Sequence, residues 1–407
     1  MSSINKPIVL DKTGQRIATA VERIAVSQGK IDISEFSQIQ QIVQLGLADK
    51  YFQIGDQIVT EWSDGMNTYD MPWDVVSFGS CVDGDGNTHN NAMWLQSHYG
   101  LPGVQFSGNN AFYVPVAELP AGKYYFTIGT NWGTHCVSGK IYEFTTTKKV
   151  PANGQLVLGT ASSNTSGLPD TAPANWRVRT YANGFQNTPD EILALTEVES
   201  SNGTNLGTLS SSTKFAANGI NNLQRAAYGY NRWSVSAIRQ WLNSSAGQED
   251  WWTQKYAHDH RPDQLASMRG FEAGLPSDFL AILKPVKQTT ALNTVSDVDL
   301  GSSEDTVDRF FLPSLQQESI APQVADIEGT TWPYWSLRLG KTQAQYETLP
   351  AHIRYAIENH TSAQHVRLRS AIRGYAYGTW IVATSGGATY YNSATYAIRP
   401  VPACVIY

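Results

Sequence analysis

The chain has 407 residues, of which 16% are charged and 11% aromatic, and its formal net charge is -6. This length predicts two or three structural units, and the low charge together with 33 Gly and 12 Trp favours turn-rich β structure over long amphipathic helices. Because Lys and Arg form no stripe that could neutralise a phosphate backbone, nucleic acid is excluded as an expected partner.

The N-terminal sequence and the spacing of the cysteines predict where the protein is made and whether it contains disulfides. The opening stretch lacks the continuous apolar core of a secretory signal, and no window approaches the apolar length of a membrane span. We therefore expect synthesis in a host cytoplasm without a signal peptide and without membrane insertion. Cys81, Cys136 and Cys404 are far apart and in no CxxC spacing, which predicts neither a disulfide framework nor a zinc site.

The first unit is assigned to residues 1–50, as a small N-terminal module for attachment or oligomerisation. It ends in a predicted helix over residues 34–49, with Ser34 as the N-cap. Apolar residues recur there at helical spacing: Ile33, Phe36, Ile39, Val43 and Leu47.

The second unit, residues 51–155, is predicted to be β-sandwich-like. Short runs with period-2 alternation follow one another between turns, such as WDVVSFGSCV, KYYFTIGTNW and KIYEFTTTKKV. The Ser-, Asn- and Thr-rich stretch that follows, to about residue 226, is interpreted as surface loops around two further strands, WRVRTY and ILALTEV.

The third unit is assigned to residues 156–407, and two short helices are predicted in it. One covers 236–243 with Ser234 or Ser236 as its cap, and the other lies in LPSDFLAIL with Ser277 or Asp278 near its start. The predicted fold class is α+β, predominantly β.

The last stretch reads SAIRGYAYGTWIVATSGGATYYNSATYAIRPVPACVIY. Tyrosines alternate there with Gly, Ser and Thr, a composition that gives large contact areas at a low entropic cost, as in antibody paratopes. An ordinary Tyr-rich sheet surface explains the same composition.

Several segments of the third unit together resemble a known family. SAIRQWLNS, GLPSDFLAIL, DRFFLPS, RLRSA followed by RG, and PACVI are similar to the C-type-lectin-like domain of phage and prophage proteins diversified by retroelements. INKPIVLDKTGQRIATAV resembles the leading part of the same proteins.

The resemblance implies a C-type-lectin-like domain whose segment at about 365–407 is rewritten by a diversity-generating retroelement. Error-prone copying of template adenines turns Asn codons into many residue types, but never into Trp, Lys, Glu, Gln or Met. From His365 onward, Trp380 is the single member of these five types. Asp and Phe are also absent there, which the codon argument leaves unexplained.

Matching the family's pattern residue by residue divides the segment into scaffold and contact positions. The implied scaffold positions are Leu368, Arg369, Ser370, Arg373, Gly374, Trp380, Val382, Ser385, Gly386, Arg399, Ala403 and Cys404. The implied ligand-binding positions are Arg367, Ile372, Tyr375, Tyr377, Thr379, Ile381, Tyr390, Tyr391, Asn392, Ser393, Tyr396 and Ile398. Trp241, Trp335 and Trp380 are expected in the supporting core.

Other groups of residues give weaker indications of metal sites or catalytic sites. DGDGN at Asp83–Asn87 looks like half a calcium loop but lacks a closing glutamate, so a polar turn is expected. HDH at 258–260 lacks a third metal ligand. Glu304, Asp305 and Asp308 are candidate carboxylates for a glycan-cleaving enzyme. Formylglycine-generating enzymes share the lectin-like core but need paired cysteines, and only Cys404 lies in this unit.

These patterns favour a non-enzymatic phage receptor-binding protein without metal or cofactor. The expected location is the virion tail or surface fibre. Its expected partners are a host-surface protein or glycan and, through the N-terminal module, other virion proteins; a homotrimer is possible. The alternatives are a tail-associated carbohydrate-active enzyme and a structural virion decoration protein.

Overall fold

The computed structural model describes residues 35–108, 113–115, 118–129, 131, 134–151, 155–160, 172–181, 189–209, 229–255, 259, 261–294, 297, 300–338, 352–375, 377–386 and 389–407. The helices in this part are α1 (Phe36–Gln44), α2 (Ala48–Tyr51), α3 (Ala237–Leu242) and α4 (Ser277–Ile282). Short 3-10 helices lie at Pro173–Asn175, Trp233–Val235, Asp263–Ala266, Phe271–Gly274 and Pro333–Arg338.

Strands predominate, which confirms the predicted β-rich class. They are β1 (Gln57–Ser63), β2 (Thr68–Val82), β3 (Thr88–Ser97), β4 (Val104–Gln105), β5 (Tyr113–Pro115), β6 (Gly122–Ile128), β7 (Ile141–Thr146), β8 (Gln155–Thr160), β9 (Trp176–Tyr181), β10 (Glu191–Ala194), β11 (Thr196–Val198), β12 (Thr204–Leu209), β13 (Val286–Ala291), β14 (Ser303–Asp308), β15 (Val366–Ala371), β16 (Gly378–Val382), β17 (Thr389–Ser393), β18 (Ala397–Pro400) and β19 (Ala403–Ile406).

The predicted helix over 34–49 is found as two shorter helices, α1 and α2. Glu35, rather than Ser34, caps α1, through a reciprocal capping box with Gln38; Ser34 lies outside the described residues. The chain leaves α1 through Gly46, whose φ of +71° lies in the left-handed region that glycine adopts most readily. The helical periodicity was correct, because Phe36, Ile39 and Val43 are buried.

The main core joins the beginning and the end of the described chain. Strand β19 pairs antiparallel with β3, with Ala403 opposite Gln96 and Ile406 opposite Met93, and completes the sheet β1-β2-β3-β19. Buried residues from 36–106 and from 233–406 form one hydrophobic cluster. The predicted limits 51–155 and 156–407 do not coincide with this core, because residues 57–106 share it with the C-terminal half.

A second core belongs to the residues between these two parts. The sheets β10-β9-β8-β5 and β11-β7-β6-β12 contribute to one buried cluster that runs from Tyr124 to Leu209. A two-sheet unit therefore exists, but it covers residues 113–209 rather than 51–155. In sequence it is inserted between the two parts of the main core.

Helices α3 and α4 pack into the main core. The Ser236 hydroxyl accepts a hydrogen bond from the Arg239 amide at 3.2 Å, which caps α3 as one of the two predicted alternatives. Trp241 of α3 meets Trp62 edge-to-face, with ring centroids 6.4 Å apart. Helix α4 packs on α1, where the Phe279 and Phe36 ring centroids lie 5.2 Å apart.

The C-terminal segment forms a separate five-stranded sheet in the order β17-β16-β15-β18-β4. Strand β16 is antiparallel to β15 and β17, and β18 is parallel to β15. All six residues of β15 are buried, which makes β15 the central support of this sheet.

Candidate functional site: a tyrosine-bearing face of the C-terminal sheet

The loop between β15 and β16, residues 372–378, carries two partly exposed tyrosines. The ring centroids of Tyr375 and Tyr377 lie 5.5 Å apart at an interplanar angle of 53°. The loop closes on itself, since the Ile372 amide donates to the Gly378 carbonyl at 2.8 Å. The two rings thus project from a short, hydrogen-bonded loop.

The turn between β17 and β18 carries the third tyrosine. Tyr396 is 57% exposed, and its amide donates to the Ser393 carbonyl at 3.2 Å. This turn contacts the first loop directly, because the Ala394 amide donates to the Tyr377 carbonyl at 2.8 Å. We call the surface formed by the two loops with Tyr375, Tyr377 and Tyr396 the tyrosine face; Asn392, Ser393 and Ile398 flank the second turn and are partly exposed.

Four of the predicted ligand-binding positions are buried instead: Arg367, Ile372, Thr379 and Ile381. In this conformation their side chains offer no exposed surface for a ligand and belong to the buried support of the sheet. The sequence did not reveal this, because the residues that enclose each of them lie far along the chain.

Arg367 anchors the turn that carries Tyr396. Its guanidinium donates to the Ser393 carbonyl at 3.1 Å, to the Tyr396 carbonyl at 2.8 Å and to the Thr379 hydroxyl. Burial lowers the pKa of Arg367 to about 9, so the group stays charged at neutral pH. Within the described residues it has no carboxylate partner, and its charge is stabilised by these hydrogen bonds and by the Phe106 ring, whose centroid lies 6.0 Å from the guanidinium carbon.

Arg369, a predicted scaffold position, is fully buried on the same strand. It donates to the carbonyls of Leu312 at 2.8 Å and Glu328 at 3.1 Å. Burial raises the pKa of the Glu328 carboxyl, and the nearby positive charge of Arg369 opposes that rise. The scaffold residues Leu368, Ser370, Val382, Ala403 and Cys404 are buried as well.

Two further scaffold positions, Trp380 and Arg399, are only partly buried. Trp380 is partly buried and packs on a small apolar cluster around Leu368 and Val382. Arg399 bonds the Glu358 carboxylate at 2.8 Å. The backbones of Tyr390 and Tyr391 lie in β17, but their side chains fall outside the described residues, so their contact role stays a prediction.

The three carboxylates considered for a glycan-cleaving enzyme lie on β14, and each forms an ion pair with an Arg or Lys side chain. Glu304 bonds Arg232 at 2.6 Å, and Asp308 bonds Arg239 at 2.6 Å and the Trp233 indole at 2.9 Å. Asp305 bonds Lys287 at 2.6 Å. Burial would raise the pKa of Asp305, but its bonds to Lys287 and Thr289 outweigh that effect and lower it. None of the three is a free acid facing a cleft.

Of the two metal candidates, only DGDGN at Asp83–Asn87 lies within the described residues. Asp83 accepts from the amides of Asp85 and Asn87 and bonds His89 at 2.9 Å, so it closes a polar turn, as expected. The histidines of HDH lie outside the described residues. In the part of the chain that is described, no three His, Cys, Asp or Glu side chains are grouped to hold a metal.

Sequence reasoning missed Asn231, which supports the tyrosine loop. Its buried side-chain amide donates to the carbonyls of Ile372, Tyr375 and Gly378 at 3.2, 2.8 and 2.8 Å. A single Asn beside a Tyr gives no periodic or motif signal, and its three acceptors lie far along the chain.

Comparison with known proteins gives one match. Residues 208–406 match the family model described as a domain of unknown function (DUF6273). No curated protein and no solved structure matches the chain. The matched range contains the tyrosine face and Asn231 but not strands β1 to β3, which share the main core. No helix among the described residues is long and apolar enough to cross a membrane.

Proposed function

We propose that the protein is a phage receptor-binding protein, and that its tyrosine face is a diversified ligand-binding surface on a C-type-lectin-like scaffold. The observation that carries the proposal is the way in which the face is held. Its two loops are fixed by bonds that end on main-chain carbonyls, from Asn231 and Arg367. Such bonds persist when the side chains of Tyr375, Tyr377 or Tyr396 change.

A surface whose side chains can be exchanged needs a core that does not depend on them. Here β15 is buried along its whole length, and Arg369 ties it to the loop around residues 312–328. Apart from Ile398, the exposed contact positions on and beside the face are Tyr, Asn and Ser, which combine large amphipathic contacts with adaptable hydrogen bonding. This separation of support and surface favours recognition over catalysis.

The pairing of the last strand, β19, with β3 supports the proposed lectin-like scaffold. Strand β19 returns to pair with β3, and the loops of the tyrosine face lie between β15 and this final strand. The residue types missing after His365 are those that adenine-directed diversification of Asn codons does not produce, apart from Asp and Phe.

In this proposal the protein acts on the virion, in a tail or surface fibre. The N-terminal module binds other virion proteins, and several copies, as in a homotrimer, raise the avidity for a host-surface protein or glycan. Binding needs no cofactor.

The proposal is tested with the fluorescently labelled full chain and a panel of bacterial strains. A triple variant, Tyr375→Ala, Tyr377→Ala and Tyr396→Ala, is expected to lose binding to any strain that the native chain binds. The control is Tyr125→Ala, on β6 of the inserted unit. Equal binding by the native chain and the triple variant would overturn the proposal.

A further inference from the structure

A chain of buried polar side chains lies behind the tyrosine loop. The Asn293 side-chain amide donates to Asn231 Oδ1 at 2.9 Å and to Asp297 Oδ2 at 2.7 Å. The Tyr230 hydroxyl donates to the other oxygen of Asp297. Tyr230, Asn231, Asn293 and Asp297 are each no more than 3% exposed. We call these four residues the asparagine relay.

The relay has a fixed direction of hydrogen bonding. At the loop end, the carbonyls of Ile372, Tyr375 and Gly378 only accept, so Asn231 must turn its NH2 group toward them. Its Oδ1 then faces Asn293, which must donate. The same Asn293 NH2 group also donates to Asp297 Oδ2, which agrees with that orientation.

We propose that the asparagine relay positions the tyrosine loop for binding, with Asn231 as the residue that sets its conformation and Asn293, which Asp297 holds in place, as the donor that fixes the Asn231 amide. The inference rests on the proposed function, whose contact surface includes this loop. A loop that is already in its binding conformation loses less conformational freedom when the ligand arrives. The relay thus contributes to affinity without touching the ligand.

The tyrosine loop is held at two further places besides the carbonyls that Asn231 bonds. Beside it, Thr294 donates from both its amide and its hydroxyl to the Arg373 carbonyl, at 2.8 and 2.9 Å. The Tyr377 carbonyl, by contrast, is bonded by Ala394 of the neighbouring turn. Releasing Asn231 should therefore loosen residues 374–378 first and then the contact with Ala394.

The deciding variant is Asn231→Asp, which keeps the shape but replaces the donor by an acceptor that faces three carbonyls. Hydrogen–deuterium exchange of the full chain, followed by mass spectrometry, should show exchange at least about tenfold faster in peptides that cover residues 372–378 and Ala394. Peptides from β1 to β3 should exchange as in the native chain. The matched control is Asn205→Asp, whose Oδ1 accepts from the Gly207 amide and can still do so.

Tyr230→Phe is the milder second variant, since it removes the hydroxyl that donates to Asp297 and interacts with Arg232 but leaves both asparagines in place. It should accelerate exchange in the same peptides by a smaller factor, and it serves if Asn231→Asp does not fold. Unchanged exchange at 372–378 in both variants would overturn the inference.

A second measurement compares how strongly each variant binds a strain that the native chain recognises. A relay that only stabilised the fold would leave this affinity unchanged. Measured at a temperature well below its thermal unfolding midpoint, Asn231→Asp should bind about tenfold more weakly than the native chain, whereas Asn205→Asp should bind as the native chain does. A loosened loop with native affinity would overturn the positioning role. Failure of the proposed function is distinguishable, because it would appear as native binding by the triple tyrosine variant, whereas the exchange measurement needs no ligand.

Discussion

Replacement of Arg367 distinguishes a buried anchor from a contact residue at a position where the sequence predicted contact. Arg367→Met keeps most of the aliphatic volume but removes the donors to the Ser393 and Tyr396 carbonyls. Each carbonyl keeps one backbone donor, the Tyr396 amide for Ser393 and the Ile398 amide for Tyr396, so the cost is that of losing a second, charged donor, about 1.5–3 kcal/mol per bond. Removing a buried cation without a carboxylate partner offsets part of this cost, so a net loss of about 2 kcal/mol is expected.

The assay is urea unfolding followed by tryptophan fluorescence, since Trp233, Trp241 and Trp335 report on the main core. Tyr396→Ala is the control, because a 57% exposed side chain should change stability by less than about 0.5 kcal/mol. Arg367→Lys separates charge from geometry: it keeps the cation but cannot bond both carbonyls and the hydroxyl from one planar group, so it should fall between the other two. A native unfolding midpoint for Arg367→Met would refute the anchor role.

Three further predictions concern the supports of the fold. Ser236→Ala removes the cap of α3 and should lower the free energy of unfolding by about 1 kcal/mol, measured by urea denaturation. Gly274→Ala should cost about 2 kcal/mol or more in the same assay, because a Cβ there would overlap the Ser63 carbonyl oxygen. Burial would raise the pKa of Asp74, but its bond to His98 and the charge of Arg354 outweigh that effect and lower it. Its stabilisation should therefore be complete above about pH 4 and be lost as the pH falls through the lower folded-state pKa, so Asp74→Asn should show a flatter dependence of unfolding free energy on acid pH.

Local sequence signals predicted the elements of the fold well. The helix predicted over 236–243 corresponds to α3, and the period-2 runs WDVVSFGSCV, KYYFTIGTNW and KIYEFTTTKKV correspond to β2, β6 and β7. These signals depend on neighbours within a few residues. They do not show which strands pair, so the insertion of residues 113–209 into the main core was missed.

The candidate site was predictable only in part, because local signals do not show which distant residues enclose a side chain. Tyr396 and its neighbours Asn392, Ser393 and Thr395 mark an exposed turn from composition alone. Arg367 looked equally exposed, because an arginine is mostly found at the surface. Its burial depends on acceptors in the β17–β18 turn, and the role of Asn231 depends on carbonyls brought close by the folding of β15 and β16.

The central claim is that the side chains of the tyrosine face, rather than the rest of the chain, select the ligand. The most direct measurement compares binding of the labelled native chain, the triple tyrosine variant and Tyr125→Ala to a strain that the native chain recognises. The account predicts that the triple variant loses binding while keeping the native unfolding midpoint, and that Tyr125→Ala binds as the native chain does. Undiminished binding by a folded triple variant would contradict it.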